Sequence, residues 1–403
     1  MTATTLGPGK AASAPADPDG PVGLHDRVAS VAAVAAEHAQ RHDRDATFPV
    51  EALAELRRTG LLGLLVPTRD GGLGGAVKDM VEASTVLGRT DLSTAMIFAM
   101  HCQQVATVVR YAHGPLRAEL LPQIAAGQRY LASVTTETGK GGHLLSSQSP
   151  LGTEGGDLLV DRFAPVVTGG RHADGYLITV QSPQPDSEHQ VSLVYARRDQ
   201  LTVERHGRWQ PLGMRASDSG ALRLTGRVPP HQTVGAHGSF ATMAKELFAP
   251  MAHLGWSACW LGTSAGALSR VLKLLRSPQG RNRTDLGSDL LLTRLAETRQ
   301  RLDAVHALLQ RAQRVVAAGG DLSLPRVQLL LNTLKVTASE DCHQAVQILI
   351  DALGMRHGYL GDSPTGLERA LRDLRSASLN YSNDRLRLAD GRLALLDPEV
   401  RFG

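Results

Sequence analysis

Near its C-terminus the chain carries LRDLRSASLNYSNDRL, residues 371–386, which reads as a basic, capped helix segment running into a polar turn. That turn, Asn380-Tyr381-Ser382-Asn383, offers amides, a phenol and a hydroxyl but no carboxylate. A phenol ordinarily ionises near about pH 10, so Tyr381 serves as a base at neutral pH only with strong activation. His253 is an acid–base candidate by residue type, with a satisfied core histidine as the plain alternative. Two Val-x-Thr pairs, Val134/Thr136 and Val166/Thr168, lie in β-branched runs. On a strand, positions i and i+2 point the same way, so each pair would set an apolar group beside a hydroxyl. Ordinary strand pairing produces the same pattern. The run TGKGG, residues 138–142, could bring backbone N–H groups to a phosphate, though any Gly-rich turn looks alike.

The elements that must hold these groups come from a chain of 403 residues, 42% hydrophobic, 20% charged and 4% aromatic. Such a length supports a large core and more than one domain. With so few aromatics the core rests on Leu, Val and Ala, which favours packed helices. The net charge is +4 with the signs interspersed, and no run of five basic residues suggests a nucleic-acid surface. Cys102, Cys259 and Cys342 are far apart without CxxC spacing, so no metal site is expected and small buried hydrophobes are the simplest role. An odd count of cysteines fits a reducing cytoplasm. No stretch is read as reaching the roughly 18 apolar residues of a bilayer span, so no membrane association is expected. Residues 1–23, rich in Ala, Pro, Gly and Ser, read as a disordered tail.

Residues 24–130 carry helical periodicity, with HDRVASVAAVAAEHAQRHDRDATFP stopping at Phe48-Pro49 and DMVEASTVLGRTDLSTAMIFAMHCQQVATVVRYA reading as two helices. Between 131 and 235 the texture changes to short β-branched runs such as YLITVQ and QVSLVYAR, separated by Gly, Pro and Asp, as in a small barrel or sandwich. From 236 to 403 long helices return, the third beginning near Pro325 and ending at Gly354.

The α–β–α order and several strings resemble the acyl-CoA dehydrogenase family over roughly residues 25–395. They include GLLGLLVPTRDGGLGG (60–75), TETGKGGH (136–143), VVTGGRHADGYL (166–177), LGMRASDSG (212–220), AVQIL (345–349) and LERALRDLR (367–375). The resemblance implies an α+β fold: an N-terminal helical domain (24–130), a middle β-barrel domain (131–235) and a C-terminal four-helix bundle (236–403). It implies FAD, with FMN or no flavin as alternatives, and a homodimer or homotetramer built on the C-terminal helices. Val134, Thr136, Val166 and Thr168 would meet the flavin ring, whose apolar face and polar edge such pairs can serve. Gln347 and Asn383 would be further cofactor contacts.

The family's glutamate, which takes a proton from the α-carbon of an acyl thioester, falls on Tyr381 by ungapped counting, or on Ser382 if tyrosines are matched. The alternative position used by some members falls on Ala252, beside His253. Glu246, six residues earlier, would serve only if the alignment slips. The Phe-Gly and Gln that follow the first C-terminal helix are missing, and Ile350-Asp351 replaces a Gly-Gly that would approach pyrophosphate. A carboxylate there is electrostatically unfavourable. Three readings follow: a dehydrogenase acting on an acyl thioester carried by CoA or a carrier protein; a flavin monooxygenase of the same fold, needing no α-proton base and acting on a small amine or aromatic; and a flavin-free descendant with a non-redox or binding role.

Overall fold

The computed structural model describes residues 23–139, 143–183, 185–283, 285–397 and 399–400. Most of the expected tail, residues 1–22, and the centre of the Gly-rich loop, 140–142, lie outside the described residues. The first helices are α1 (Leu24–Asp45), α2 (Val50–Arg58), α3 (Val77–Gly88), α4 (Leu92–Tyr111) and α5 (Gly114–Ala125). The strands are β1 (Leu131–Val134), β2 (Gly152–Glu154), β3 (Asp157–Ala164), β4 (Gly175–Gln181), β5 (Val191–Arg197), β6 (Leu201–His206), β7 (Ala221–Val228) and β8 (Thr233–Val234). The last helices are α6 (Phe240–Met243), α7 (Ala249–Arg276), α8 (Pro278–Arg283), α9 (Asp289–Ala317), α10 (Pro325–Gly354), α11 (Leu367–Leu374) and α12 (Asn383–Ala394).

The strands form two four-stranded sheets, in the orders β1-β4-β5-β8 and β2-β3-β7-β6. β1 runs parallel to β4, with Leu131 opposite Gly175; the second sheet is antiparallel throughout. Nearly all of β4 and β5 is buried, as expected of strands covered on both faces. β3 instead alternates, with Leu158, Val160, Arg162 and Ala164 turned inward.

α4 is long and apolar enough to cross a membrane by length and composition, contrary to the expectation that no stretch would be. Its most apolar window is 83% buried, so it is the central helix of the fold. Each large apolar side chain it buries contributes about 1.5–3 kcal/mol. Asp91 starts it by accepting a hydrogen bond from the Thr94 amide at 2.7 Å. His101 ties it to the first sheet: its Nδ1 accepts from the Leu131 amide at 3.0 Å and its Nε2 donates to the Leu62 carbonyl at 2.9 Å. Burial pushes that imidazole down to about 4, so it stays neutral, as an acceptor at Nδ1 requires.

α7 packs against α3 through small residues. A Cβ at Gly262 would collide with the Thr85 carbonyl, so the glycine sets how closely the two helices approach. α7, α9 and α10 pack on one another, with α11 and α12 against α10. The chain enters α7 through a π-turn, Ala244–Phe248.

Candidate functional site

A cavity of about 570 Å³ opens where the β region, α4, the start of α7 and the 372–381 segment meet. Hydroxyls line the side toward the strands: Ser133, Thr135, Thr136, Thr168, Ser217 and Ser219. Apolar groups line the opposite side, including Met96, Met100, Phe248 and Trp256. Leu212 and Leu379, 64% and 66% exposed, form an apolar rim with Trp209 nearby. The volume lies within the range of small-molecule sites, roughly 300–1,000 Å³.

The Val-x-Thr pairs do not sit on strands as expected. β1 ends at Val134, which is fully buried, whereas Thr136 lies beyond the strand and lines the cleft. Val134 and Thr136 therefore face different ways. Val166 and Thr168 both follow the end of β3, and both line the cleft from a loop. The Thr136 hydroxyl fastens this loop: it donates to the Val166 carbonyl at 2.8 Å and accepts from the Val166 amide at 3.2 Å. Thr168 Oγ1 accepts from Ser219 Oγ at 3.0 Å, and Ser219 Oγ lies 2.7 Å from Ser217 Oγ.

The turn 213–219 explains its own sequence. A Cβ at Gly213 would overlap the Arg372 carbonyl. The Met214 amide donates to Asp373 Oδ1 at 2.6 Å, and the Trp209 indole donates to the Met214 carbonyl at 3.3 Å. Met214 and Asp218 adopt left-handed backbone, with φ of 53° and 40°. Tyr381, across the cleft, does the same at φ 51°. Such conformations cost about 1–3 kcal/mol each and concentrate at functional sites.

Lys335 holds Tyr381 from behind. Fully buried on α10, it donates to the Tyr381 carbonyl at 3.1 Å and to Asn383 Oδ1 at 2.7 Å. Asn383 Nδ2 donates to Ser339 Oγ and Glu340 Oε1, both at 2.9 Å. Asn383 thus belongs to a polar network beneath the cleft and does not line it. Burial pushes the Lys335 ammonium down to about 7.

Neither expected base is poised to take a proton. Burial raises the Tyr381 phenol above its ordinary value, the opposite of activation. His253 lines the cleft, 6.2 Å from the Tyr381 ring, and burial with the Lys335 charge pushes it down to about 3. It is a neutral imidazole at working pH. Ser382 lies at the start of α12, outside the lining, and makes no capping bond. Glu246 accepts from the Tyr111 hydroxyl at 2.9 Å, and it too is away from the lining. Gln347 donates to Asp351 Oδ1 at 3.1 Å on α10, likewise outside it. Glu137, in the TETG run, is locked to the fully buried Arg162 and accepts from Ser149 Oγ at 2.7 Å. Among the described residues, then, no Asp or Glu lines the cleft.

Comparison with known proteins fits this architecture. The signature described as acyl-CoA dehydrogenase, N-terminal domain, matches residues 24–128, and the one described as acyl-CoA dehydrogenase, C-terminal domain, matches 245–380. The chain belongs to the acyl-CoA dehydrogenase family. Among relatives in sequence, dibenzothiophene monooxygenase of Rhodococcus qingshengii is 28% identical over 232 residues, 55% of each chain. L-evernosamine nitrososynthase of a Micromonospora strain is 31% identical over 201 residues, 46% of this chain and 44% of that protein. These alignments span about half the length of either relative. FMN-bound TdsC of Paenibacillus sp. A11-2 shares the fold, with a TM-score of 0.82 and 21% identity, over 94% of this chain and 98% of that one.

For a chain of the acyl-CoA dehydrogenase family the cleft is the natural place for a flavin ring, and its residues fit one. Two of the lining residues, His253 and Trp256, each carry a buried polar atom, Nδ1 and Nε1, with no hydrogen-bond partner within the described residues. Trp209 and Trp256, absent from the sequence-based candidates, supply aromatic walls where Val166 is small. A signal for Trp209 existed: it stands three residues before the LGMR string. Trp256 lay inside an apolar helical run and carried no such mark.

Proposed function

We propose that this protein is a flavin-dependent monooxygenase acting on a small aromatic or amine, the second of the three readings, rather than a dehydrogenase of acyl thioesters. The observation that supports this most is a cleft without a carboxylate among the described residues, in which His253 and Tyr381 are both pushed away from taking a proton. Removing an α-proton from a thioester needs a positioned base. When bound, reduced flavin would supply the activation of O₂. The chain's own residues would then bind and orient. Thr136 and Thr168 hold the 166–168 loop in place, and with Val166 they would be the residues that receive the ring. Neutral His253 and the Trp256 indole, both lining the cleft with an unpartnered ring nitrogen, would supply an acceptor and a donor to a substrate that displaces the groups covering them. The apolar rim of Leu212 and Leu379 would exclude water.

FAD or FMN would fit at the ring end, and Gln347 would reach a flavin only across a contact between copies. Leu379, Leu388, Leu395 and Leu396 are all more than half exposed near the C-terminus, which supports a homodimer or homotetramer. The three cysteines are free and buried, in keeping with a cytoplasmic location.

The test supplies flavin reduced by a separate reductase, with O₂ and an aromatic heterocycle or amino sugar, and follows oxygen incorporation by mass. The expected result is an oxygenated product, and no bleaching of oxidised flavin by acyl thioesters under anaerobic conditions. Bleaching would restore the dehydrogenase reading. Failure to bind either flavin at high micromolar concentration would favour the flavin-free one.

A further inference from the structure

A second cavity, of about 990 Å³, lies between the C-terminal half of α1, the α3–α4 junction, the second half of α7 and residues 361–372. It shares Leu212 and Arg372 with the cleft. Its lining combines six arginines, Arg44, Arg89, Arg215, Arg270, Arg369 and Arg372, with the acids Asp43, Asp362 and Glu368.

The acids are already engaged. Asp43 and Glu368 both pair with Arg372 at 2.6 Å, and Asp362 pairs with Arg356 at 2.6 Å. Arg44 pairs with Asp45 at 2.8 Å. For Arg89, Arg215, Arg270 and Arg369 no ion pair is formed among the described residues. Neutral acceptors aim them instead. Arg270 donates to the Thr365 carbonyl at 2.6 Å and the Arg89 carbonyl at 2.9 Å. Arg89 donates to Ser269 Oγ at 2.8 Å, and Arg369 to the Thr90 carbonyl at 3.0 Å. Arg215 reaches the carbonyls of Asp43 and Arg44 at 2.7 and 3.1 Å. Burial, and then the like charges of Arg369 and Arg89, push the Arg270 guanidinium down to about 10. Asp373, buried nearby, feels the charge of Arg369 without pairing with it. All four line the same cavity, none paired with a carboxylate among the described residues, so an anion entering it would meet guanidinium groups not already paired.

We propose that this cavity binds the phosphate or pyrophosphate group of a small anionic ligand. Guanidinium forks match phosphate oxygens, and a dianion would relieve the mutual repulsion of Arg89, Arg270 and Arg369. The ligand is either a substrate whose head enters the cleft past the shared Leu212–Arg372 wall, or a separate phosphate compound. The inference requires no flavin, so it stands or falls apart from the preceding reading.

The test is calorimetric titration of inorganic pyrophosphate, and of a nucleoside diphosphate, into the full chain without added flavin. Saturable binding is expected, weakening with added salt. Arg89→Gln and Arg369→Gln should each weaken it by about tenfold, the worth of one charge-assisted hydrogen bond. Arg299→Gln, outside the cavity on α9 and paired with Asp303, should leave it unchanged, and melting curves establish that each variant is folded. Tighter binding of the nucleoside diphosphate that Trp256→Ala abolishes would identify a substrate reaching the cleft. Equal binding of both anions, insensitive to Trp256→Ala, would identify a separate phosphate ligand. No saturable binding at millimolar anion, or binding that the Arg89 and Arg369 variants leave intact, overturns the proposal.

Discussion

Asp373 offers a sharp test of how the cleft is held together. Its carboxyl is buried and accepts the Met214 amide at 2.6 Å, anchoring the left-handed turn that forms one wall. Burial raises it from 3.8 to about 7; Arg369 opposes the shift and Asp91 adds to it. Between those two values the folded chain holds a proton that the unfolded chain has lost. Stability therefore falls as pH rises through this window. The full difference, about 3 pH units, corresponds to about 4 kcal/mol, of which roughly 2 kcal/mol falls between pH 5 and 7. Asp373→Asn keeps an oxygen for the Met214 amide and removes the titration. Relative to the parent, the variant should gain roughly 3 kcal/mol between pH 5 and pH 8. Urea unfolding followed by tryptophan fluorescence measures this, because Trp209 hydrogen-bonds the same turn. Parallel pH dependences for the two proteins would refute the assignment of a neutral, buried carboxyl at Asp373.

Two further outcomes follow from single contacts. Gly213→Ala drives a Cβ into the Arg372 carbonyl, which has no flexible end to yield, so stability should drop by about 3 kcal/mol or more and cleft ligands should be lost, as thermal melts and flavin titration would show. Glu137→Gln leaves the Arg162 guanidinium buried without its counter-charge and should cost about 3–5 kcal/mol. Pairing it with Arg162→Met should recover a large part of that loss, a contrast that urea midpoints of the single and double variants would reveal.

The sequence by itself determined the order of the elements and the family. Helical periodicity, β-branched runs and strings such as LGMRASDSG depend on local spacing, and the local backbone obeys them. The missing carboxylate at Asn380-Tyr381-Ser382-Asn383 was legible too, because composition is visible without coordinates. The sheet orders and the destination of each side chain were decided by tertiary structure. Thr136 and Val134 share a pattern but part company, because β1 stops at Val134. Asn383 looked like a cofactor contact, yet it packs on Lys335, a residue of the same helix as Gln347 and more than forty positions distant. The electrostatic character of the site was equally hidden. Tyr381 and His253 became poor bases through burial, and burial belongs to the assembled fold. The arginine cavity joins positions 89, 215, 270 and 369, which no local pattern links, so only packing of α1, α3, α7 and α11 brings their charges together.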